Sequence, residues 1–246
     1  MSDRRPTLGI LGGGRAAWAY GSAWRRVGWP IAGVWLRAES TSRLPELLEA
    51  PRVALEDLRA ELLLVAVSDR AVAEVAEQVP ETDAIIFHAS GALTSVRSGF
   101  SLHPLKSLPP VGEPSDLRDT LLVFEGDHRD VAQHIAQELG ARFAEVSKEQ
   151  KARYHAGAVF GSNYVALMMD IAKELTGIPG IESDLVALAA SAMENWRRHD
   201  GPRRFTGPAI RGDHATMERH LEALQDEPEV AELYRLLAAR IVAAAK

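Results

Sequence analysis

Three stretches of the chain gather side chains that can move a proton near neutral pH. The first is His88-Ala89-Ser90-Gly91 and, a short loop later, Ser101-Leu102-His103-Pro104-Leu105-Lys106-Ser107. The second is Lys151, Tyr154, His155, Ser162 and Asn163. Lys151 and His155 are four residues apart and Ser162 follows seven later, the spacing of one helical face, with Tyr154 and Asn163 flanking it. The third is Thr206-Gly207-Pro208-Ala209-Ile210-Arg211-Gly212-Asp213, with His214, Thr216 and His220 after it. Histidine gives and takes a proton close to neutrality, which reduction of a carbonyl or imine requires. His155 or Tyr154 is the expected donor, with His88, His103 and Asn163 orienting the other reactant. Arg211, on a glycine-flanked loop, suits an anionic group, and Asp213 is placed to cap the following helix.

Other chemistries are excluded by what the chain lacks. It has no cysteine, so disulfides, thiolate nucleophiles and cysteine metal sites fall away together. Its eight histidines form no H-E-x-x-H, and Asp213, His214 and His220 lack a clear third ligand, so no metal is expected. No G-x-S-x-G elbow occurs. With 28 Lys and Arg against 34 Asp and Glu the net charge is −6, and no basic–aromatic interleaving appears, which argues against a nucleic-acid partner. The apolar run behind Met1–Pro6 is too short for a signal peptide, and the stretch 156–169 is broken by Gly157, Gly161, Ser162 and Asn163. No membrane partner and a cytoplasmic location are therefore expected.

The elements that must position these groups begin with Thr7-Leu8-Gly9-Ile10-Leu11-Gly12-Gly13-Gly14-Arg15-Ala16-Ala17-Trp18. A short apolar strand ends in glycines and turns directly into a helix, and Gly12, Gly14 and Ala17 fill the G-x-G-x-x-G/A pattern. Gly12 permits the tight turn, Gly14 leaves the backbone bare for a pyrophosphate, and Ala17 lets helix and strand lie close. Gly12, Gly13, Gly14, Arg15 and Ala16 are thus expected around a dinucleotide's phosphates, at the helix's positive end. A second buried strand, 31–36, ends at Arg37, with Ser40, Thr41, Ser42 and Arg43 beyond. An arginine and hydroxyls there suit a 2′-phosphate, so NADP is preferred; Glu39 could serve a ribose, which keeps NAD open.

The pattern continues with a short helix closing over Leu58 to Glu61, a fully buried strand at 62–67, a helix over 71–79 capped by Ser68 or Asp69, and a strand at 84–87 running into His88. Ser68 and Ser90 fall at strand ends, the carboxyl edge where open α/β sheets bind ligands, and are expected at the cofactor. Further strands are read at 121–124 and 142–146, with a helix between them. From Ser147 the reading is all-helical: 148–175, 182–198, 213–224 and 229–245, with a Gly/Pro-rich loop at 200–212. The expected architecture is a dinucleotide-binding α/β domain over 1–146 and an all-helical domain over 147–246. Gly157 and Gly161, four apart, mark a close helix crossing.

These motifs together resemble a bacterial family of Rossmann-like proteins labelled NADP oxidoreductases, with a C-terminal helical domain of uncharacterised function. The matching pieces are Gly12-Gly13-Gly14-Arg15, His88-Ala89-Ser90-Gly91, His103-Pro104-Leu105, Phe124-Glu125-Gly126-Asp127, Tyr154-His155-Ala156 through Ser162-Asn163-Tyr164, and Gly207-Pro208 with Arg211-Gly212-Asp213. More distantly the layout is similar to pyrroline-5-carboxylate reductases and β-hydroxyacid dehydrogenases. The resemblance implies a Rossmann-type, mostly parallel sheet, a helical dimerisation and substrate domain, a nicotinamide cofactor, a homodimer through the C-terminal helices, and a small-molecule substrate bound between domains. The spacing from Lys151 to Asn163 is not the short one of β-hydroxyacid dehydrogenases, so their catalytic lysine is not carried over. Two readings follow: an NADP-dependent oxidoreductase of a small carbonyl, hydroxy acid or imine, or a dinucleotide-binding sensor that has lost the reaction.

Overall fold

The computed structural model describes residues 5–113 and 115–244. The chain divides into two compact units, Met1–Tyr164 and Val165–Lys246. In the first, strand β1 (Leu8–Leu11), helix α1 (Arg15–Arg26), β2 (Ile31–Trp35), α2 (Leu44–Leu48), β3 (Leu62–Val65), α3 (Asp69–Gln78), β4 (Ile85–His88), β5 (Phe100–Pro104), β6 (Leu121–Gly126), α4 (Arg129–Glu138), β7 (Arg142–Glu145) and α5 (Lys151–Phe160) follow in order. The strands form one sheet in the order β2-β1-β3-β4-β5-β6-β7. Every neighbouring pair is parallel except β5 and β6. The chain reverses direction across the sheet between β2 and β3, which flank β1, so the crevice of the switch point opens at the carboxyl end of β1.

Alternation along the strands sorts the core onto two faces. Leu8, Ile10, Leu62 and Leu64 join the cluster that also holds Trp18, Tyr20, Ala132 and Ile135 of α1 and α4. Leu11, Leu63 and Val65 face the other way, against Val72 and Val75 of α3. Rings of Phe87, Phe100, Phe124 and Phe143 run across β4 to β7 with centroids 4.9, 5.9 and 5.7 Å apart. The Tyr20 hydroxyl donates to the Leu102 carbonyl at 2.5 Å, pinning α1 to β5.

Three readings of the sequence are corrected here. Residues Leu55–Asp57 form a 3₁₀ turn, and no helix closes over Leu58 to Glu61. Strand β5 is an additional strand: Phe100, Ser101 and Leu102 are buried and His103 partly so, and the polar Ser101 and His103 alternating with apolar residues looked like a loop. The long helix expected at 148–175 is two helices, α5 and α6 (Asn163–Thr176). Gly161 closes α5, and the Ser162 hydroxyl donates to the Ala158 carbonyl at 2.7 Å, so Ser162 lies in the break and not on the face of Lys151 and His155. Because α5 packs with the sheet, the geometric division falls beyond residue 146.

The second unit continues α6 and adds α7 (Glu182–Arg198), α8 (Pro208–Arg211), α9 (His214–Ala223) and α10 (Pro228–Ala244). Asp213 caps α9 by accepting from the Thr216 amide at 3.1 Å. The His220 ring and the Tyr234 hydroxyl, 2.8 Å apart, join α9 to α10. Among its described residues the buried apolar side chains are Leu185, Leu224, Ala231 and Ala238, while Val186, Leu188, Met193, Trp196, Leu236 and Leu237 are exposed. No helix of the described residues is long and apolar enough to cross a membrane.

Candidate active site

At the carboxyl end of β1 the chain forms a cradle lined by Gly12, Gly13, Gly14, Arg15 and Ala16, by Arg37, Glu39 and Ser40 after β2, and by Ser68 after β3. Gly12 has φ +115°, and a Cβ there would collide with the Ala66 carbonyl, so this turn needs glycine. A Cβ on Gly13 would lie 2.5 Å from the Ser42 hydroxyl. Ser42 donates to the Gly13 carbonyl at 3.2 Å and accepts from the Trp18 indole at 3.3 Å. It therefore braces the turn, leaving Arg37 and Ser40 as the groups facing the cradle. Gly14 is the N-cap of α1 with no side-chain cap and no acidic residue in the first turn. The first amides of α1 thus keep their donors for a ligand, and the helix dipole favours an anion there.

Two and three strands across the same sheet edge lies the second feature. His88 at the end of β4 is fully buried; its Nδ1 accepts from the Ser90 amide at 3.2 Å, which leaves its Nε2–H to donate to the Thr94 carbonyl at 3.0 Å. Burial holds this imidazole below its usual pKa, with the Lys151 charge adding to the effect. The Ser90 hydroxyl accepts from the Ala92 and Leu93 amides at 3.2 and 3.1 Å. These bonds fold the loop so that Gly91 meets two rings. A Cβ on Gly91 would lie 2.9 Å from His103 Nε2 and would collide with His155 Nδ1. The two ring nitrogens converge over a bare backbone.

His103 Nδ1 is 2.6 Å from the Tyr154 hydroxyl. Burial, then the neighbouring His155 and Lys151, push His103 down to about 4, so it is neutral at pH 7. Burial pushes the Tyr154 phenol up to about 12, so it keeps its proton. His155 Nδ1 is buried without a partner, an unusual state for a polar atom and one a ligand would relieve. Beneath the rings, Lys151 is 1% exposed and its ammonium donates to the Ser101 hydroxyl. Ser101 in turn donates to Glu125 at 3.5 Å, and Glu125 also accepts from the Ser95 amide at 2.8 Å and its hydroxyl at 3.3 Å. Burial lowers Lys151 to about 8, with Glu125 opposing that effect.

Of the residues singled out in the sequence, Gly12, Gly13, Gly14, Arg15, Ala16, Arg37 and Ser68 line the cradle, and His103, Tyr154 and His155 meet around Gly91. His88 and Ser90 shape the loop that presents Gly91. Asn163 opens α6 as an exposed residue, its side chain accepting from the Ser162 hydroxyl at 3.0 Å. The Ser101–Lys151–Glu125 network was missed as a unit. Its signal was present in the polar positions of β5 and β6, but only the antiparallel pairing of Ser101 with Glu125 brings them together.

Against family models, residues 1–104 match a Rossmann-like domain and residues 120–241 match the domain of unknown function DUF2520. The chain joins a Rossmann-like domain to a DUF2520 domain. His88, Ser101 and His103 come from the first match, whereas Glu125, Lys151, Tyr154 and His155 come from the DUF2520 stretch, although all pack within one compact unit. No curated protein matches the chain. Among solved structures, a provisionally named NADP oxidoreductase from Bacteroides fragilis is 24% identical with TM-score 0.81, covering 97% of this chain and 98% of that one. A protein from Thermotoga maritima is 24% identical with TM-score 0.76 and the same coverage. A reductive aminase from Aspergillus terreus, solved with NADPH and ethyl levulinate, is 13% identical with TM-score 0.67, covering 98% and 94%. At these identities the likeness is one of fold.

Proposed function

We propose that the chain is an NADP-dependent oxidoreductase of a small carbonyl, hydroxy-acid or imine compound. The observation that carries the reading is the uncapped α1 N-terminus over Gly12 to Gly14, set on the same sheet edge as the His103–Tyr154–His155 cluster. The residues fit a dinucleotide: Gly12 tolerates no side chain, and the space beside Gly14 is open, with the nearest atom 3.7 Å from a Cβ built there. The amides of Arg15 and Ala16 would hold the phosphates, and Arg37 with Ser40 the adenosine end, with a 2′-phosphate paired to the guanidinium. Glu39 in the same lining keeps NAD as the alternative. The Aspergillus reductive aminase was solved with NADPH and an imine reductase variant from Myxococcus stipitatus with NAD+, both on this fold.

A reduced nicotinamide supplies a hydride when bound. The chain's own residues then handle the proton. Tyr154 holds one on its hydroxyl, and a neutral His103 can replace it through the 2.6 Å contact. His155 Nδ1 is free to orient the reacting group. The exposed apolar faces of α7 and α10 support assembly into a homodimer, since four buried apolar side chains among the described residues are a small core for a unit of this length. The test is NADPH consumption over 2-oxo acids, ketones and cyclic imines, in wild type and His155→Ala. Turnover that falls at least about a hundredfold in the variant supports the reading, within the usual range for a positioned acid–base group. Turnover unchanged in the variant removes His155 from the reaction, and none with any substrate removes the activity.

A further inference from the structure

We infer that Arg52 is a positioning residue for the choice of cofactor: it braces the turn after β2 that presents Arg37 to a 2′-phosphate, and so sets a preference for NADPH over NADH. The inference rests on the NADP-dependent reading and adds to it a residue outside the lining of the cradle.

Arg52 arrives there along the edge of the sheet. Strand β2 is an outer strand, and Arg52 pairs with Val34 in a parallel bridge on its open side. The Val34 amide donates to the Pro51 carbonyl at 2.9 Å, and the Val53 amide donates to the Val34 carbonyl at 3.1 Å. Gly33 permits this approach, because a Cβ there would crowd the Val53 side chain at 3.0 Å and the Pro51 carbonyl at 3.2 Å. From this bridge the Arg52 side chain reaches the backbone that leaves β2. Its Nη2 donates to the Arg37 carbonyl at 2.8 Å and lies 3.5 Å from the carbonyls of Leu36 and Ala38. Three successive carbonyls thus converge on one guanidinium nitrogen.

The turn has little else to hold it. The Ser40 amide closes it onto the Arg37 carbonyl at 3.0 Å. Arg37, Ala38 and Glu39 are exposed, and Glu39 and Ser40 line both the cradle and a second cavity of about 810 Å³. Among the described residues, Arg52 is the side chain that donates to these carbonyls, and neither Arg52 nor Arg37 forms an ion pair. The Arg52 charge is spent on backbone, in bonds stronger than neutral ones, while that of Arg37 is left for a ligand. A guanidinium fork on phosphate oxygens is directional, and every group that must be ordered on binding subtracts from affinity. NADH carries a hydroxyl where NADPH carries the phosphate, and the two share the diphosphate assigned to the turn at Gly12 to Ala16. Loosening the turn after β2 therefore weakens NADPH more than NADH, whereas general damage to the fold weakens both. A bare charge effect of Arg52 would lower the preference without loosening the turn.

The experiment compares full-length wild type, Arg52→Met and Arg52→Lys. Calorimetry gives the NADPH and NADH dissociation constants, and NMR gives the hydrogen exchange of the Ser40 amide without nucleotide. The expected result is that Arg52→Met cuts the NADPH-over-NADH preference at least about tenfold, roughly 1.4 kcal/mol, with NADH affinity held within about twofold. The Ser40 amide should exchange at least about tenfold faster in Arg52→Met, as a turn that opens more often requires. Arg52→Lys, which restores a cationic donor on a long stem, should recover part of both. An unchanged preference, an equal loss for both nucleotides, or unchanged Ser40 exchange overturns the inference. Wild type binding NADH as tightly as NADPH, or binding neither, would instead contradict the NADP-dependent reading, and Ser40 exchange still decides whether Arg52 braces the turn.

Discussion

Removing the Lys151 charge should leave Glu125 buried without its cation. Lys151→Met is expected to cost about 3 kcal/mol of stability, the range for breaking one partner of a buried charge pair, and Lys151→Met with Glu125→Gln should recover at least about 1 kcal/mol of it. Denaturant unfolding of the four members of that cycle measures both; additive losses would show that Ser101 does not couple the two charges. His103 makes a pH prediction. Its folded value of about 4 lies below its usual 6.5, so between those values the unfolded chain binds the extra proton and stability falls as pH drops. His88, also lowered by burial, acts in the same direction. The loss attributable to His103 is on the order of 2–3 kcal/mol by about pH 4. His103→Gln should retain more of its own neutral-pH stability in mild acid than wild type does, read from denaturant midpoints at the two pH values. An identical acid loss in both would mean that His103 is not held neutral. The sequence showed His103, Tyr154 and His155 as separate candidates; that their atoms meet over Gly91 depends on a loop folded by Ser90 and His88, which no spacing rule reveals.

Helix α1 is where function and stability can be pulled apart. Gly14 sits at its N-cap with φ −80° and ψ −177°, a conformation any residue adopts, and with room for a side chain. Aspartate caps helices at least as well as glycine, so Gly14→Asp should leave stability unchanged or raise it by a few tenths of a kcal/mol. The same carboxylate would occupy and repel the phosphate position, so NADPH binding should fall at least about a hundredfold, measured beside the melting temperature. Retained binding would mean the phosphates lie elsewhere. This strand–turn–helix was legible because the tight turn at Gly12 has a local steric reason and the glycines stand directly between an apolar strand and a helix. Strand β5 was not, because the polar Ser101 and His103 interrupt its apolar residues, and the helix break at Gly161–Ser162 was not, because helical composition runs through it on both sides.

For the whole molecule, the apolar residues left exposed on α7 and α10 predict a homodimer in solution, with Leu188→Glu and Trp196→Glu shifting it toward monomer in light scattering. A wild-type monomer at micromolar concentration would contradict that. The change from strand to helix periodicity near Ser147 set the expected order of the domains and their boundary at 146; the DUF2520 match and the compact unit cut the chain at two other places, before β6 and after α5. The claim on which the rest depends is that the glycine turn of the first unit holds a dinucleotide. Calorimetric titration of the wild-type protein with NADPH and NADH tests it most directly. The account predicts saturable one-to-one binding of NADPH at low micromolar concentration or tighter, about −8 kcal/mol, with NADH weaker because Arg37 loses its phosphate. Absence of binding by either nucleotide would contradict it.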